Sequence, residues 1–154
     1  MIDLTTPIIP YEGTGIFKLR ESYDEIKSKL NSMKIRHNDQ IQKFNGALWR
    51  EIKIYKDKDS KYEMIALYFA KNKLFKICLC EDFEGKLPNG IHTGMNIKDA
   101  KKIAPTLERD EDWDEVFVSP DGYFIEYSNG DLNIIFITIF IPEYVTDEFE
   151  NYNW

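Results

Sequence analysis

The chain is 154 residues long and carries 20 Lys and Arg against 27 Asp and Glu, a net charge of −7. That balance argues against unaided binding to a phosphate backbone, where affinity comes from Lys and Arg, and suits either a basic partner or acidity that only confers solubility. With 43% apolar, 31% charged and 14% aromatic residues, it reads as one globular domain that needs no metal or disulfide to fold, with enough aromatic content to matter for recognition.

Met1-Ile-Asp-Leu-Thr-Thr has no basic segment followed by a long apolar one, so no secretion signal is expected and the expected location is the cytoplasm. Residues 1–14 hold Pro7, Pro10 and Gly13 and predict an extended arm, with Ile8, Ile9 and Tyr11 as candidates to pin it. Gly15-Ile-Phe-Lys-Leu19 then leads into a capped helix start at Ser22. The Ser22 hydroxyl can accept from an orphan amide while Glu25 reaches back to the Ser22 amide. Tyr23, Ile26, Leu30 and Met33 share the core face of that helix. Lys34 to Gly46 is polar and predicts only a short irregular strand through Ile35 and Ile41.

From Ala47 to Lys56 the residues alternate. Leu48, Arg50, Ile52 and Ile54 take one side, and Trp49, Glu51, Lys53 and Tyr55 the other. A turn at Asp57-Lys-Asp-Ser60 precedes a strand from Tyr62 to Ala70, with Ile65, Leu67 and Phe69 inward and Tyr62, Met64, Ala66 and Tyr68 on the reverse. The next strand, Leu74 to Glu81, places Phe75, Ile77 and Leu79 inward. Cys78 and Cys80 lie two apart on one face, a spacing that suits buried small hydrophobes better than a disulfide or a four-ligand metal site. Unpaired thiols suit a reducing compartment.

Glu84-Gly-Lys-Leu-Pro-Asn-Gly90 concentrates Gly, Pro and Asn and marks a seam. A second capped helix starts at Asn96, with Asp99 where a capping box wants Glu or Gln, and Pro105 ends it. Glu108 to Glu115 is the densest acidic stretch, with Trp113 inside it. Strands follow at Glu115 to Ser119, Tyr123 to Ser128 and Leu132 to Ile141, with Asn129-Gly130 as a type I′ hairpin signal. In the last strand Ile135, Ile137, Ile139 and Ile141 oppose Phe136, Thr138 and Phe140, so it belongs in the centre of a sheet. At ten residues it is about half the length of a membrane helix. The tail is acidic and aromatic, with Asp147, Glu148, Phe149, Glu150, Tyr152 and Trp154.

These elements predict a single α+β domain over residues 1–154, an antiparallel sheet with helices on one face, built from two helix-plus-meander repeats near 15–84 and 90–141. Ser22 and Asn96 stand 74 positions apart and Gly15 and Gly90 stand 75 apart. The order helix then meander, twice, with Gly-hydrophobic-x-x-x-x-x-capper-x-x-acid-hydrophobic at each helix start, resembles the tandem unit of the beta-lactamase inhibitor protein and of the SmpA/OmlA lipoprotein fold. The resemblance implies an inhibitor-like architecture whose free sheet face grips a protein. Small acidic proteins of this size are also similar to immunity proteins of bacterial polymorphic toxins, including those of contact-dependent growth inhibition. The chain departs from the lipoprotein branch in lacking a signal and a lipidated Cys near its start.

The predicted strand parity sets Trp49, Glu51, Tyr55, Tyr62, Tyr68, Phe124, Glu126, Phe136 and Phe140 on the face away from the helices. Aromatics and acids with little aliphatic filler are the composition of a protein-binding surface. The alternative is that the arm, the tail or a second copy of the chain covers that face. Asp110, Glu111, Asp112, Trp113, Asp114 and Glu115 form a loop that could imitate a run of phosphates and enter the basic groove of a nuclease, or could be a solvated linker. It lacks the Gly and ligand spacing of a calcium loop. His37 and His92 have no ligand-spaced neighbours, and neither a phosphate-cradling nor a dinucleotide glycine motif is present. The expectation is a non-enzymatic immunity protein with no cofactor or metal. It would neutralise a cognate basic toxin, a nuclease, by direct contact, without engaging nucleic acid or membrane. A non-catalytic adaptor that self-associates through the open sheet face is the alternative.

Overall fold

The computed structural model describes residues 1–44 and 47–151. Gly46, at the end of the ambiguous stretch, and Tyr152 and Trp154 of the tail lie outside the described residues. The protein is mostly β, with a few short helices: a large eight-stranded antiparallel sheet and a small three-stranded one. The small sheet, β1 (Ile8–Ile9), β2 (Gly13–Thr14) and β3 (Phe17–Lys18), stands where an extended arm was expected. Ile8 is fully buried and its amide donates to the Lys86 carbonyl at 2.9 Å, whereas Ile9 is exposed and pins nothing. Tyr11 lies across Gly122, where an added Cβ would fall 2.3 Å from the ring and where φ is +92°. Only glycine fits that position.

Helix α1 (Tyr23–Ser32) begins with the full capping box between Ser22 and Glu25 and buries Tyr23, Ile26 and Leu30. A meander follows: β4 (His37–Phe44), β5 (Ala47–Ile54), β6 (Ile65–Ala70) and β7 (Lys73–Cys80). Helix α2 (Ile97–Ile103) is capped by Asn96 alone, because Asp99 pairs with Lys102 at 3.0 Å instead of closing a box. It leads into β8 (Glu108–Arg109), β9 (Val116–Ser119), β10 (Tyr123–Tyr127) and β11 (Ile134–Phe140). The sheet order β4-β5-β6-β7-β11-β10-β9-β8 makes β7 and β11 the central pair. A 3-10 turn at Pro142–Val145 and a single-turn helix α3 (Glu148–Asn151) follow.

The two helix starts are tied to the sheet by the same bonds. Arg20 N donates to Leu74 O (2.7 Å), Leu74 N to Glu21 O (2.9 Å) and Tyr23 N to Asn72 O (2.9 Å). In the second half Gly94 N donates to Ile134 O (2.7 Å), Ile134 N to Met95 O (2.9 Å) and Ile97 N to Leu132 O (2.8 Å). Arg20 and Gly94 both have positive φ, as do Asn72 and Leu132. Each helix is therefore sewn at its N-cap to the start of the fourth strand that follows it, which fixes where its apolar face lands.

Bulges sit at matching places too. The β6–β7 register shifts at Tyr68/Phe69, so that Leu74 opposes Phe69 and Lys76 opposes Tyr68 while Phe75 is the extra residue. The β10–β11 register shifts at Glu126/Tyr127, which leaves Ile135 extra between Ile134 and Phe136. An extra residue in one strand breaks the two-residue alternation. This corrects two expectations. Phe75 meets Trp49, Tyr144 and Phe149 on the reverse of the sheet rather than joining Ile77 and Leu79. Ile134, not Ile135, is the buried residue of its pair.

Three further expectations change. β4 is eight residues in unbroken register with β5, not a short irregular strand. Tyr62 lies outside β6, exposed, on neither sheet face. The connection after β10 is not a type I′ turn: neither Asn129 nor Gly130 has positive φ, and Leu132 takes the left-handed conformation instead. Tyr23 of α1 meets Phe69 edge-on at 5.4 Å, and Lys101 of α2 lies 4.8 Å over the Phe117 ring. Both helices thus cover the face carrying Ile52, Leu67, Ile77, Ile125, Ile137 and Ile139, all fully buried.

Candidate protein-binding groove

On the reverse face, the register sets Trp49, Glu51, Tyr68, Lys76, Cys78, Thr138, Phe140, Phe124 and Glu126 side by side. Half of this face is not open. Pro142 stops β11 and turns the chain back, and Arg20 holds both Glu143 oxygens at 2.8 and 2.7 Å. Burial raises the Glu143 carboxyl, but the Arg20 guanidinium outweighs it and holds the group below its usual range. From that anchor Tyr144 reaches Phe75 (5.3 Å) and Phe140 (5.6 Å), and Phe149 reaches Phe75 (4.9 Å) and Trp49 (6.0 Å).

Lys76 lies at the middle of this cluster. Its ammonium sits 4.3 Å over Tyr68, 5.2 Å over Tyr144 and 5.7 Å over Trp49, and it donates to the Tyr144 hydroxyl at 3.3 Å. Such a cage holds a cation by the ring quadrupoles while its stem fills apolar space.

The expectation of an open face is corrected here. Trp49 is 9% exposed and Glu51 only 3%. Glu51 accepts from Gln42 at 2.6 Å and faces Tyr68, whose hydroxyl is raised above its ordinary range by burial and then by the Glu51 charge. Cys78 and Cys80 are both free, and the Cys80 thiol is pushed up by its bond with Cys78 and by burial. Tyr55 stands apart, under the Arg36 guanidinium at 4.5 Å beside the end of α1. Trp49 and Glu51 are therefore covered, Tyr68 lies half-buried beside them, and Tyr55 is not part of this patch.

The other half is open and holds a groove of roughly 540 Å³, lined by Asp110, Trp113, Glu115, Val116, Phe124, Glu126, Tyr144 and Val145. It joins the two regions expected from the sequence, the acidic loop and the far end of the reverse face. The loop is a closed turn: Asp110 Oδ1 accepts from the amides of Asp112 (2.9 Å) and Trp113 (3.1 Å), and the Asp110 amide donates to Val116 O at 2.9 Å. Asp110 thus shapes the loop, while Glu111, Asp112 and Asp114 of the same loop are exposed to solvent. Trp113 is 67% exposed. Glu115 is oriented by Asn129, which donates to its carboxylate.

Three carboxylates and no Lys or Arg line the groove. Burial raises the Glu126 carboxyl above its usual range, and the Glu115 charge raises it further. Phe124 forms the floor, stacked on Phe140 at 4.5 Å, which ties the groove to the tail-covered cluster. Phe136 is on the same face but is not among the lining residues. Sequence reasoning missed Tyr144 and Val145 as a wall, although Pro142 directly after an apolar strand is the signal for a chain that folds back. An aromatic trough with a partly desolvated carboxylate at Glu126 suits a cationic side chain, which would gain charge and ring contacts together.

Among the described residues no cluster of three or more His, Cys, Asp or Glu could hold a metal ion, and no helix is long and apolar enough to cross a membrane. His37 and His92 each direct Nδ1 at a backbone carbonyl, at 2.8 and 2.7 Å. No family model matches the chain, and no curated protein matches it. Among solved structures it is similar to the uncharacterized protein yfeY from Escherichia coli, with a TM-score of 0.62 and 12% identity over 86% of this chain and 98% of that one. At that identity the likeness concerns the fold.

Proposed function

We propose that this protein is a non-catalytic, cytoplasmic immunity protein that neutralises a cognate basic toxin, a nuclease, by holding one of its cationic side chains in the groove between the acidic loop and β10. The observation that carries the reading is the meeting of Trp113, Glu115, Phe124 and Glu126 in one open trough without a lining cation. Aromatic anchors ringed by acids are what a basic protein surface selects, and the −7 net charge speeds the encounter. The solvent-facing Glu111, Asp112 and Asp114 would run along the toxin's phosphate-binding surface. No cofactor or nucleic acid enters this reading.

The architecture supports it in a second way. The recurrence of caps, N-cap bonds, positive-φ positions and bulges in each helix-plus-four-strand half supports the reading of a duplicated unit like the tandem plan that the sequence resembles. Self-association through the open sheet face is the weaker reading, because the tail occupies much of that face.

The test is calorimetry against a candidate toxin domain taken from a neighbouring gene, with protection from its activity as the second readout. Trp113→Ala and Glu126→Lys should each weaken binding at least 30-fold, the equivalent of about 2 kcal/mol for a buried anchor. Asp112→Lys at the rim should mainly reduce the association rate and its salt dependence. Tight binding that ignores Trp113 and Glu126 would move the contact elsewhere.

A further inference from the structure

We infer that the β4 edge pairs with β4 of a second copy of this chain, antiparallel and centred on Ile41, to make a continuous sixteen-stranded sheet. The two edges of the large sheet are unlike. β8 is only two residues long, whereas β4 runs eight residues in register with β5 with no bulge and no proline. Short edges, bulges and edge charges are the usual protection against strand addition; β4 is neither short nor bulged, and its charges, Asp39 and Lys43, are opposite in sign.

Which β4 groups face outward follows from the ladder. Tyr55 N donates to Arg36 O at 3.1 Å, so Arg36 and Tyr55 are a hydrogen-bonded pair. Antiparallel pairs alternate, so Asn38, Gln40 and Gln42 also bond to β5, and the amides and carbonyls of Asp39, Ile41 and Lys43 point away from it. Those three residues supply six hydrogen bonds across a two-fold axis at Ile41.

The side chains say which partner fits. In a pairing centred on Ile41, Asp39 stands directly opposite Lys43 of the second copy, twice, and Ile41 meets its own counterpart. Opposite charges at facing positions stabilise a strand pair and like charges oppose it. Ile41 is 64% exposed in the single chain, and its register neighbour on the same face is Arg50. Asp39 uses Oδ2 for Tyr23 and for Lys27 at 3.2 Å, which leaves Oδ1 for Lys43 of the second copy. Moving the axis to Gln40 sets Lys43 against His37 and Asp39 against Ile41, and moving it to Gln42 sets Lys43 against Ile41, in each case without the Asp39–Lys43 pairing, so the register is specified.

Sedimentation velocity of the full chain across the micromolar range should show a species at twice the 18.2 kDa chain mass. Lys43→Glu and Asp39→Lys should each be monomeric, since each places like charges opposite one another, and an equimolar mixture of the two should recover the doubled mass. Ile41→Pro removes an outward donor while leaving the β4–β5 ladder bonds, so it keeps the proposal testable should Asp39→Lys lose its fold with the Tyr23 and Lys27 contacts. It should be monomeric with an unchanged far-ultraviolet spectrum. Amide exchange at Asp39, Ile41 and Lys43 should slow at least tenfold at high protein concentration. A wild-type chain that stays monomeric at 200 μM, or a dimer indifferent to Ile41→Pro and to the charge variants, would overturn the inference.

Discussion

Truncating Phe149 to alanine tests whether the tail is a built cover of the sheet. The side chain is 7% exposed and touches Phe75, Tyr144 and Trp49. Burying a phenylalanine contributes about 1.5–3 kcal/mol, and an edge-to-face ring contact such as that with Trp49 adds about 0.5–1.5 kcal/mol. The loss falls near a chain end rather than inside an enclosed core, so the tail can lift away and the cost should lie near the lower bound, about 2 kcal/mol. For a chain of this length that lowers Tm by roughly 4–8 °C. In a background with Trp113→Phe and Trp154→Phe, Trp49 is the sole emitter, so acrylamide quenching and thermal melts can be read on the same sample. Quenching should rise several-fold below the melting range. A Tm shift under about 1 °C with unchanged quenching would refute the argument, because Trp49 would then be buried by something other than the tail.

Gly122→Ala forces a Cβ into the Tyr11 ring at positive φ and should cost about 1–3 kcal/mol in urea unfolding, with Tyr11→Ala restoring part of it. Tyr23, which donates to Asp39, is pushed up to about 12 by burial, then by that bond and the Asp39 charge. Its contribution is present below about pH 10, the free tyrosine range, and is lost as pH rises through about 12. Tyr23→Phe should therefore cost about 0.5–1.5 kcal/mol at neutral pH and remove the tyrosine absorbance change near pH 12. Glu126, raised in the folded state, favours folding when protonated and loses that contribution as pH rises through its shifted value. Glu126→Gln should thus melt higher than wild type at pH 7 and level with it at pH 4. For the same reason, affinity for a basic partner should fall as pH drops through the Glu126 titration.

The parts legible in the sequence are those governed by local chemistry. Ser22 and Glu25 announce the first cap, and the parity of Ile52, Leu67, Ile77 and Ile137 assigns the core face, because helix ends and half-buried strands write their constraints at fixed spacing. What stayed hidden involves one extra residue or a distant partner. Leu74-Phe75 and Ile134-Ile135 are paired apolar residues, so a bulge between them leaves no polar residue out of phase. β4 reads as irregular because an edge strand buries little on either side and has no reason to alternate. The tail's position depends on Arg20 and Glu143, 123 positions apart, and no window of sequence brings them together. The groove was half visible for that reason: its acids and Trp113 are contiguous, while its Tyr144 wall arrives from the chain's end.

The two halves diverge where their shared frame ends. The N-cap bonds and the bulges are matched, and the strands they anchor, β7 and β11, pair with each other at the sheet centre. The outer strands carry no such constraint. On the first half's side the outermost strand is eight residues long, with an outward ladder. On the second half's side it is only Glu108 and Arg109, and the Asp110–Glu115 loop that walls the groove follows directly. A loop of that charge could not form on the covered half of the reverse face, where the single carboxylate of Glu51 already needs Gln42, Lys53 and the Tyr68 hydroxyl to be tolerated at 3% exposure. Carboxylates can gather only at a margin that water still reaches, and the second half's short edge provides one beside Phe124, so charge and aromatic surface meet there and not over Trp49.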